Sequence, residues 1–116
     1  MKVQVLPADS DIAARVLNSI SKQTRDEFDV AGIDPADAIR QVIEQKGKMF
    51  VSVADETPLT LFGFTDYDAY YSMWTIATAA FFDLGAPGVF CTRRFFKALN
   101  FDKPLMVITM SPHPDT

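Results

Sequence analysis

The sequence feature that most constrains the fold is an apolar run at residues 105–110, which follows a helix-like segment at residues 89–99. Three strand-like segments come before that helix with short turns between them, at residues 49–54, 59–64 and 72–79. Strands joined by short turns pair antiparallel, whereas a strand that returns after a helix pairs parallel to its neighbour or splays from it. A continuous apolar strand is typical of a sheet interior. The pattern therefore predicts a mixed sheet with residues 105–110 in its middle.

The N-terminal half predicts an edge strand at residues 2–6 and then two helices. Asp9 and its polar neighbours supply a helix start, and apolar positions at helical spacing continue that helix until Gly32 breaks it. These positions are Ile12, Val16, Leu17, Ile20 and Thr24. Asp34 caps the second helix, with Pro35 in its first turn and a C-terminal cap at Lys46-Gly47. The predicted class is α/β (α+β), with the order strand-helix-helix-strand-strand-strand-helix-strand in one domain, residues 1–116.

Composition excludes several classes of protein. The chain has 116 residues with 48% hydrophobic content, which fits an ordered globular domain rather than a disordered tail. Its net charge of −4 argues against nucleic acid as a partner, because no basic surface would neutralise phosphates. The single Cys91 allows no intrachain disulfide. The longest uncharged run, residues 69–82, is shorter than the roughly 20 residues of a membrane helix. We therefore expect a soluble cytoplasmic protein with no membrane partner.

Several short segments resemble the GNAT (Gcn5-related N-acetyltransferase) fold. They are similar in particular to small acetyltransferase-like proteins of tailed phages, among them a minor internal virion protein of short-tailed phages. The segments are residues 26–27, 31–35, 58–63, 74–78 and 111–115. The resemblance implies a GNAT-like mixed sheet. In such relatives a further helix and strands follow the segment at residues 111–115, so we expect that C-terminal part of the fold to be truncated here.

The resemblance also implies a place for acetyl-CoA. In the GNAT fold, backbone N–H groups at the start of the helix after the fourth strand hold the pyrophosphate. The usual pattern is Gln or Arg, two residues, Gly, one residue, then Gly or Ala. Here Phe82 or Gly85 stands where Gln or Arg is expected, Pro87 removes a donor, and Asp83 adds negative charge. An ordinary strand-to-helix turn is the alternative, and we expect no cofactor unless the protein is an enzyme. The candidate cofactor-binding residues are Gly85, Gly88, Arg93 and Arg94.

No catalytic residue can be assigned from the sequence. Asp66 and Asp68 are candidate bases that follow the third strand, in a loop with three tyrosines. The alternative is a solvated turn or a partner contact. The general acid that the resemblance implies would lie on a helix after the fifth strand. His113 has no partner for a metal site but could act as a base beside Asp115. Cys91 is expected to be a buried hydrophobe, and no metal site is predicted.

Two functions from different classes remain. The first is a phage GNAT-fold protein that acts by protein–protein contact without efficient acetyl transfer, as a minor virion component or a host-directed accessory factor. Its partner would be a virion protein, a host protein or a second copy, in the host cytoplasm and the virion. The alternative is a minimal acetyl-CoA-dependent N-acetyltransferase. The predicted partner-binding residues lie on the last strand and the aromatic loop: Leu105, Val107, Thr109, Tyr70 and Tyr71.

Overall fold

The computed structural model describes residues 3–67, 69–84, 97 and 105–107. Within these residues the chain forms five strands and four helices. In chain order they are β1 (Val3–Pro7), α1 (Ser10–Asn18), α2 (Lys22–Ala31), α3 (Pro35–Glu44), β2 (Lys48–Ala54), β3 (Thr57–Asp66), β4 (Tyr71–Ala77), α4 (Ala79–Leu84) and β5 (Leu105–Val107). The α/β (α+β) class and the mixed sheet predicted from the sequence are confirmed.

The strands form one sheet in the order β1-β2-β3-β4-β5. The first four are antiparallel to their neighbours, and β5 runs parallel to β4. The prediction that the apolar run would lie in the middle of the sheet is wrong for the described strands, because β5 is at the end beside β4. Hairpin-joined strands take adjacent places, so β3 already has β2 and β4 as neighbours, and a further strand can join the sheet only at one of its two ends.

The single helix predicted from residue 10 to residue 29 is two helices, α1 and α2. The break lies at residues 19–21, where the chain turns at Ser19 and then pairs with the end of β4. Ile20 bridges Thr78, the Ser21 N–H donates to the Ala77 carbonyl at 2.9 Å, and the Ala79 N–H donates to the Ser19 carbonyl at 3.4 Å. This tertiary pairing overrides the helical spacing of the apolar residues.

The predicted helix starts are confirmed by their caps. The Asp9 carboxylate accepts from the Ile12 N–H at 2.9 Å at the start of α1. At the start of α3, the Asp34 carboxylate accepts from the Ala36 N–H at 2.9 Å, with Pro35 in the first turn. Each bond satisfies a backbone donor that has no partner inside the helix. Helix α3 ends close to the predicted cap, and Lys46 has a positive φ of 55°.

The β2–β3 hairpin is longer than predicted and contains a bulge. Pro58, expected in the turn, lies inside β3, and Leu59 is the extra residue between the pairs Ser52–Thr60 and Val53–Pro58. A bulge is one of the few places in a sheet that tolerate proline, because no ladder donor is needed there. Thr78 closes the bulge, since its hydroxyl donates toward the Pro58 and Leu59 carbonyls at 2.9 and 3.1 Å.

The core lies between one face of the sheet and helices α1, α2 and α3. Its fully buried members include Val16, Leu61 and Ile76. Trp74 is buried in the same cluster, and its indole lies where a side chain on Gly63 would stand. Glycine at residue 63 is therefore required by this close approach. Beyond β4, helix α4 begins at residue 79, where the sequence predicts the end of a strand.

Candidate functional site

The candidate site is the side of β4 that faces β5. On its other side β4 pairs with β3 along its whole length. On the near side, the described part of β5 covers the start of β4, with Leu105 opposite Tyr71 and Val107 opposite Met73. We call the β5-facing backbone of residues 74–77 the β4 edge.

The last residue of β4 has both of its backbone groups paired with the start of α2. Thr78 faces β3, because its N–H donates to the Leu59 carbonyl at 2.9 Å. Ala77 faces the opposite way: its N–H donates to the Thr24 hydroxyl oxygen at 3.3 Å, and its carbonyl accepts from the Ser21 N–H at 2.9 Å. The β4 edge is therefore closed at Ala77.

The two hydroxyls at the start of α2 form a satisfied network. The Ser21 Oγ caps α2 by accepting from the Thr24 N–H at 3.1 Å, and it donates to the Thr24 Oγ1 at 3.0 Å. The Thr24 Oγ1 thus accepts from both Ser21 and Ala77, which fills the acceptor capacity of a hydroxyl. Both residues are buried, 6% and 4% exposed. A ligand that took the Ala77 N–H would have to displace a buried hydrogen bond of this network.

Thr75 differs from Ala77 in how a ligand could reach its backbone groups. Backbone direction alternates along a strand, so the N–H and carbonyl of Thr75 point to the same side as those of Ala77. The Thr75 side chain is exposed. Thr75 is therefore the backbone position on the β4 edge that a ligand could approach without breaking the network at Ala77.

Three tyrosines come together at the other end of β4. The rings of Tyr67 and Tyr70 stack with centroids 5.2 Å apart and 27° between their planes. Their backbones bond reciprocally, at 2.9 Å from the Tyr67 N–H and 3.2 Å from the Tyr70 N–H. Tyr71 begins β4 and is half-buried, as is Tyr70, while Tyr67 is 39% exposed. We call Tyr67, Tyr70 and Tyr71 the aromatic loop.

The structure does not bring the candidate base near Ala77. Asp66 ends β3 opposite Tyr71, and β4 rises about 3.3 Å per residue, so Ala77 lies roughly 20 Å from this end. Thr75 is roughly 13 Å away by the same measure. Asp66 and the aromatic loop therefore form a surface distinct from the closed end of the β4 edge.

Several residues predicted from the sequence lie outside the described residues. Of the predicted partner-binding residues, Leu105 and Val107 have their backbone in β5, opposite the start of β4. The predicted residues that lie outside the described residues are Asp68, Gly85, Gly88, Cys91, Arg93, Arg94, Thr109 and His113.

The described part of the chain has neither a metal-binding cluster nor a membrane-spanning helix. Residues 3–67 and 69–84 contain no group of three or more His, Cys, Asp or Glu side chains placed to hold a metal ion. Among the helices that the structure describes, none is long and apolar enough to cross a membrane.

Ser21 and Thr24 are site residues that the sequence patterns do not predict. The helical spacing puts Thr24 on the apolar side of one long helix, whereas the Thr24 hydroxyl contacts the β4 edge. The local signal for this site was a serine that stands three residues before Thr24 and two residues after Ser19. Serine is one of the residues preferred at the N-cap of a helix. The contact with β4 has no local signal, because Thr24 and Ala77 are far apart in sequence.

The chain matches no protein-family model and no curated protein by sequence. By structure it is similar to an acetyltransferase of the GNAT family from Staphylococcus aureus Mu50, at 14% identity and a TM-score of 0.59, over 92% of this chain and 75% of that one. A GNAT family acetyltransferase from Elizabethkingia anophelis, solved with acetyl-CoA bound, matches at 16% identity and a TM-score of 0.56. That match covers 90% of this chain but only 63% of the Elizabethkingia chain, which is less than two thirds of its length.

A protein described by a different function has the same fold. A transcriptional regulator from Bacillus halodurans C-125 matches at 12% identity and a TM-score of 0.62, over 99% of this chain and 87% of that one. Identities this low establish architecture alone, because one fold supports many functions. The chain has the GNAT fold.

Proposed function

We propose that this chain uses a GNAT scaffold for protein–protein contact and does not carry out efficient acetyl transfer. The observation that supports this most is the paired state of Ala77. If acetyl-CoA were held by backbone amides of β4, its hydrogen bond to the Ala77 N–H would compete with the Thr24 hydroxyl. Breaking that bond removes one of the two hydrogen bonds that the buried Thr24 Oγ1 accepts, which costs about 0.5–1.5 kcal/mol.

The segment after β4 supports the same proposal. Asp83 is exposed on α4, ahead of the predicted phosphate-binding turn, and a carboxylate there opposes a pyrophosphate. Pro87 has no backbone N–H to offer. Arg93 and Arg94 are the positive charges nearest in sequence that could offset Asp83. The chain therefore has fewer donors and more negative charge than a pyrophosphate site favours.

The proposed contact surface is the aromatic loop with the adjoining β5. Tyrosine is enriched at protein interfaces because it buries a large ring and keeps a polar hydroxyl. The backbone of Leu105 and Val107 lies beside the loop, and Thr109 follows it in sequence. The segments at residues 58–63 and 74–78 that resemble phage proteins suggest the partner: a virion protein, a host protein or a second copy. The role would be that of a minor virion component or an accessory factor in the host cytoplasm.

Calorimetry with acetyl-CoA tests the first half of the proposal. We expect no heat of binding at about 1 mM ligand, a concentration that detects dissociation constants up to the millimolar range. A parallel titration with CoA separates recognition of the nucleotide from recognition of the acetyl group. A dissociation constant below about 1 mM together with acetylation of an amine substrate would contradict the proposal.

Photo-crosslinking tests the second half. A benzoylphenylalanine at residue 70 is expected to crosslink to one partner protein or to a second copy, identified by mass spectrometry. The matched control places the same probe at Phe82, which is 46% exposed and lies on α4. Equal crosslinking from both positions, or none from residue 70, would show that the aromatic loop is not the contact surface.

The second candidate is a minimal N-acetyltransferase. It is favoured by fold neighbours with acetyl-CoA bound, from Elizabethkingia anophelis and from Brucella melitensis. Acetyl-CoA would use the Thr75 backbone and residues 85–88, and catalysis would come mainly from orientation of the two reactants. The calorimetric experiment distinguishes the two candidates directly.

A further inference from the structure

A pocket of about 420 Å³ lies on the helical face of the sheet, between α1 and the strands β1 and β2. It is at the end of the sheet farthest from β4, because β1 is the first strand in the sheet order. Its volume is within the range of small-molecule pockets, roughly 300–1,000 Å³. The pocket is thus separate from the β4 edge and from the aromatic loop.

One end of the pocket is apolar. Leu6 of β1 lies opposite Val51 of β2, and Ile12 of α1 lines the same end. Leu6 is 42% exposed, although an apolar side chain of this size is ordinarily buried. This end therefore offers an uncovered surface for an apolar group.

The other end is charged. Asp55 and Glu56 form the turn after β2 and line the pocket there, roughly 13 Å from Val51 at the rise of a strand. Residues 8 and 9 connect β1 to α1 and reverse the chain, so Arg15, about one helical turn beyond Ile12, lies toward this turn.

Two opposite charges at this end have no partner in the described part of the chain. Neither the Arg15 guanidinium nor the Glu56 carboxylate makes a hydrogen bond or ion pair with a residue that the structure describes. The Gln4 side chain also lines the pocket and adds a donor and an acceptor. A ligand that pairs with both charges needs an anionic and a cationic group close together, with an apolar group extending from them.

We propose that this pocket binds a free α-amino acid with a large apolar side chain. The ligand carboxylate pairs with the Arg15 guanidinium, a geometry suited to two parallel hydrogen bonds. The ligand ammonium group pairs with the Glu56 carboxylate, and the side chain packs between Leu6, Ile12 and Val51. Neither charge alone distinguishes this ligand from a simple acid or amine, so specificity requires both.

Titration with L-phenylalanine, followed in ¹H–¹⁵N correlation spectra, tests the proposal. We expect saturable shifts at the amides of Leu6, Ile12 and Val51. Arg15→Gln and Glu56→Gln should each weaken binding about tenfold or more, as expected for loss of a charge-assisted hydrogen bond. The matched control, Arg25→Gln, removes another arginine that lies on α2, outside this pocket, and should leave binding unchanged.

Modified ligands give a readout that does not depend on variant folding. N-acetyl-phenylalanine lacks the ammonium group and phenylalanine amide lacks the carboxylate, so each should bind at least about tenfold more weakly. Absence of saturable shifts, shifts outside the pocket, or binding of either derivative as tight as that of L-phenylalanine would overturn the proposal. The titration is independent of the acetyl-CoA experiment, because the two sites are at opposite ends of the sheet.

Discussion

The two ends of the sheet differ in how their polar groups are used. At the β4 edge, both backbone groups of Ala77 are paired with the start of α2, in a buried network. At the β1 end, Arg15 and Glu56 line an open pocket, and neither has a partner among the described residues. At the end where the fold leads one to expect a ligand, the backbone groups of Ala77 are internally satisfied, whereas the opposite end has charges available.

This difference shows that a resemblance in fold does not by itself identify where on the protein a ligand can bind. A GNAT scaffold directs attention to β4, but a binding site also needs groups that gain a partner when the ligand arrives. A group already paired inside the protein gains little from a ligand. The following predictions test whether the two ends differ in the way the contacts indicate.

The largest effect is expected when one substitution, leucine to alanine, is compared between the buried core and the open pocket. Leu61→Ala should lower the free energy of unfolding by about 2–5 kcal/mol, because Leu61 is fully buried in the core and its removal leaves a cavity. Leu6→Ala, in the open pocket, should cost no more than about 0.5 kcal/mol. Urea denaturation of both variants measures the difference. Similar losses would mean that the pocket is as well packed as the core.

A smaller effect is expected at the closed end of the β4 edge. Thr24→Val keeps the shape of the side chain but removes the acceptor of the Ala77 N–H, so it should cost about 1–3 kcal/mol. Thr57→Val is the matched control, since Thr57 is exposed at the start of β3. A loss from Thr24→Val no greater than that of the control would contradict the view that Ala77 is tightly paired.

The smallest effect concerns the helix that lines the open pocket. Asp9→Ala removes the cap of α1 and should cost about 1 kcal/mol, because the Ile12 N–H loses its acceptor. Asp11→Ala serves as the control: it removes an acidic residue from the same first turn without removing the cap. Equal melting temperatures for the two variants would indicate that the charge near the helix start, not the capping bond, stabilises α1.

Much of the fold could be predicted from local sequence patterns. Alternating and apolar runs predicted the strands, and Asp9 and Asp34 predicted two helix starts that the caps confirm. The order of the hairpin strands and the parallel pairing of β5 follow from connection lengths. These features depend on residues close together in the chain, so the sequence carries their signal directly.

The break between α1 and α2 could not be predicted, because its cause is distant. Ile20 continues an apolar spacing that favours one helix, yet it pairs with Thr78 at the end of β4. The same contact explains why Thr24 was interpreted as a core position rather than as part of a site. The bulge at Leu59 also depends on Thr78, whose hydroxyl and N–H close it.

The candidate site was only partly predictable. The structure places Tyr71 opposite Leu105 of β5, and the partner-binding role of Tyr70 and Tyr71 stays a prediction. The pocket near Arg15 was not predicted, since its lining comes from three elements and a turn that have no common motif. Pockets of this kind arise from how a helix crosses a sheet, which no local pattern specifies.

Local sequence patterns specify the strands, the starts of α1 and α3 and the mixed sheet, because hydrophobic periodicity, caps and connection lengths act over short distances. The tertiary structure alone decided which polar groups are paired and which are available. That outcome depends on hydrogen bonds between residues as far apart as Thr24 and Ala77. A hydrogen bond requires its donor and acceptor to lie within about 3 Å, and only the folded chain brings such distant residues that close.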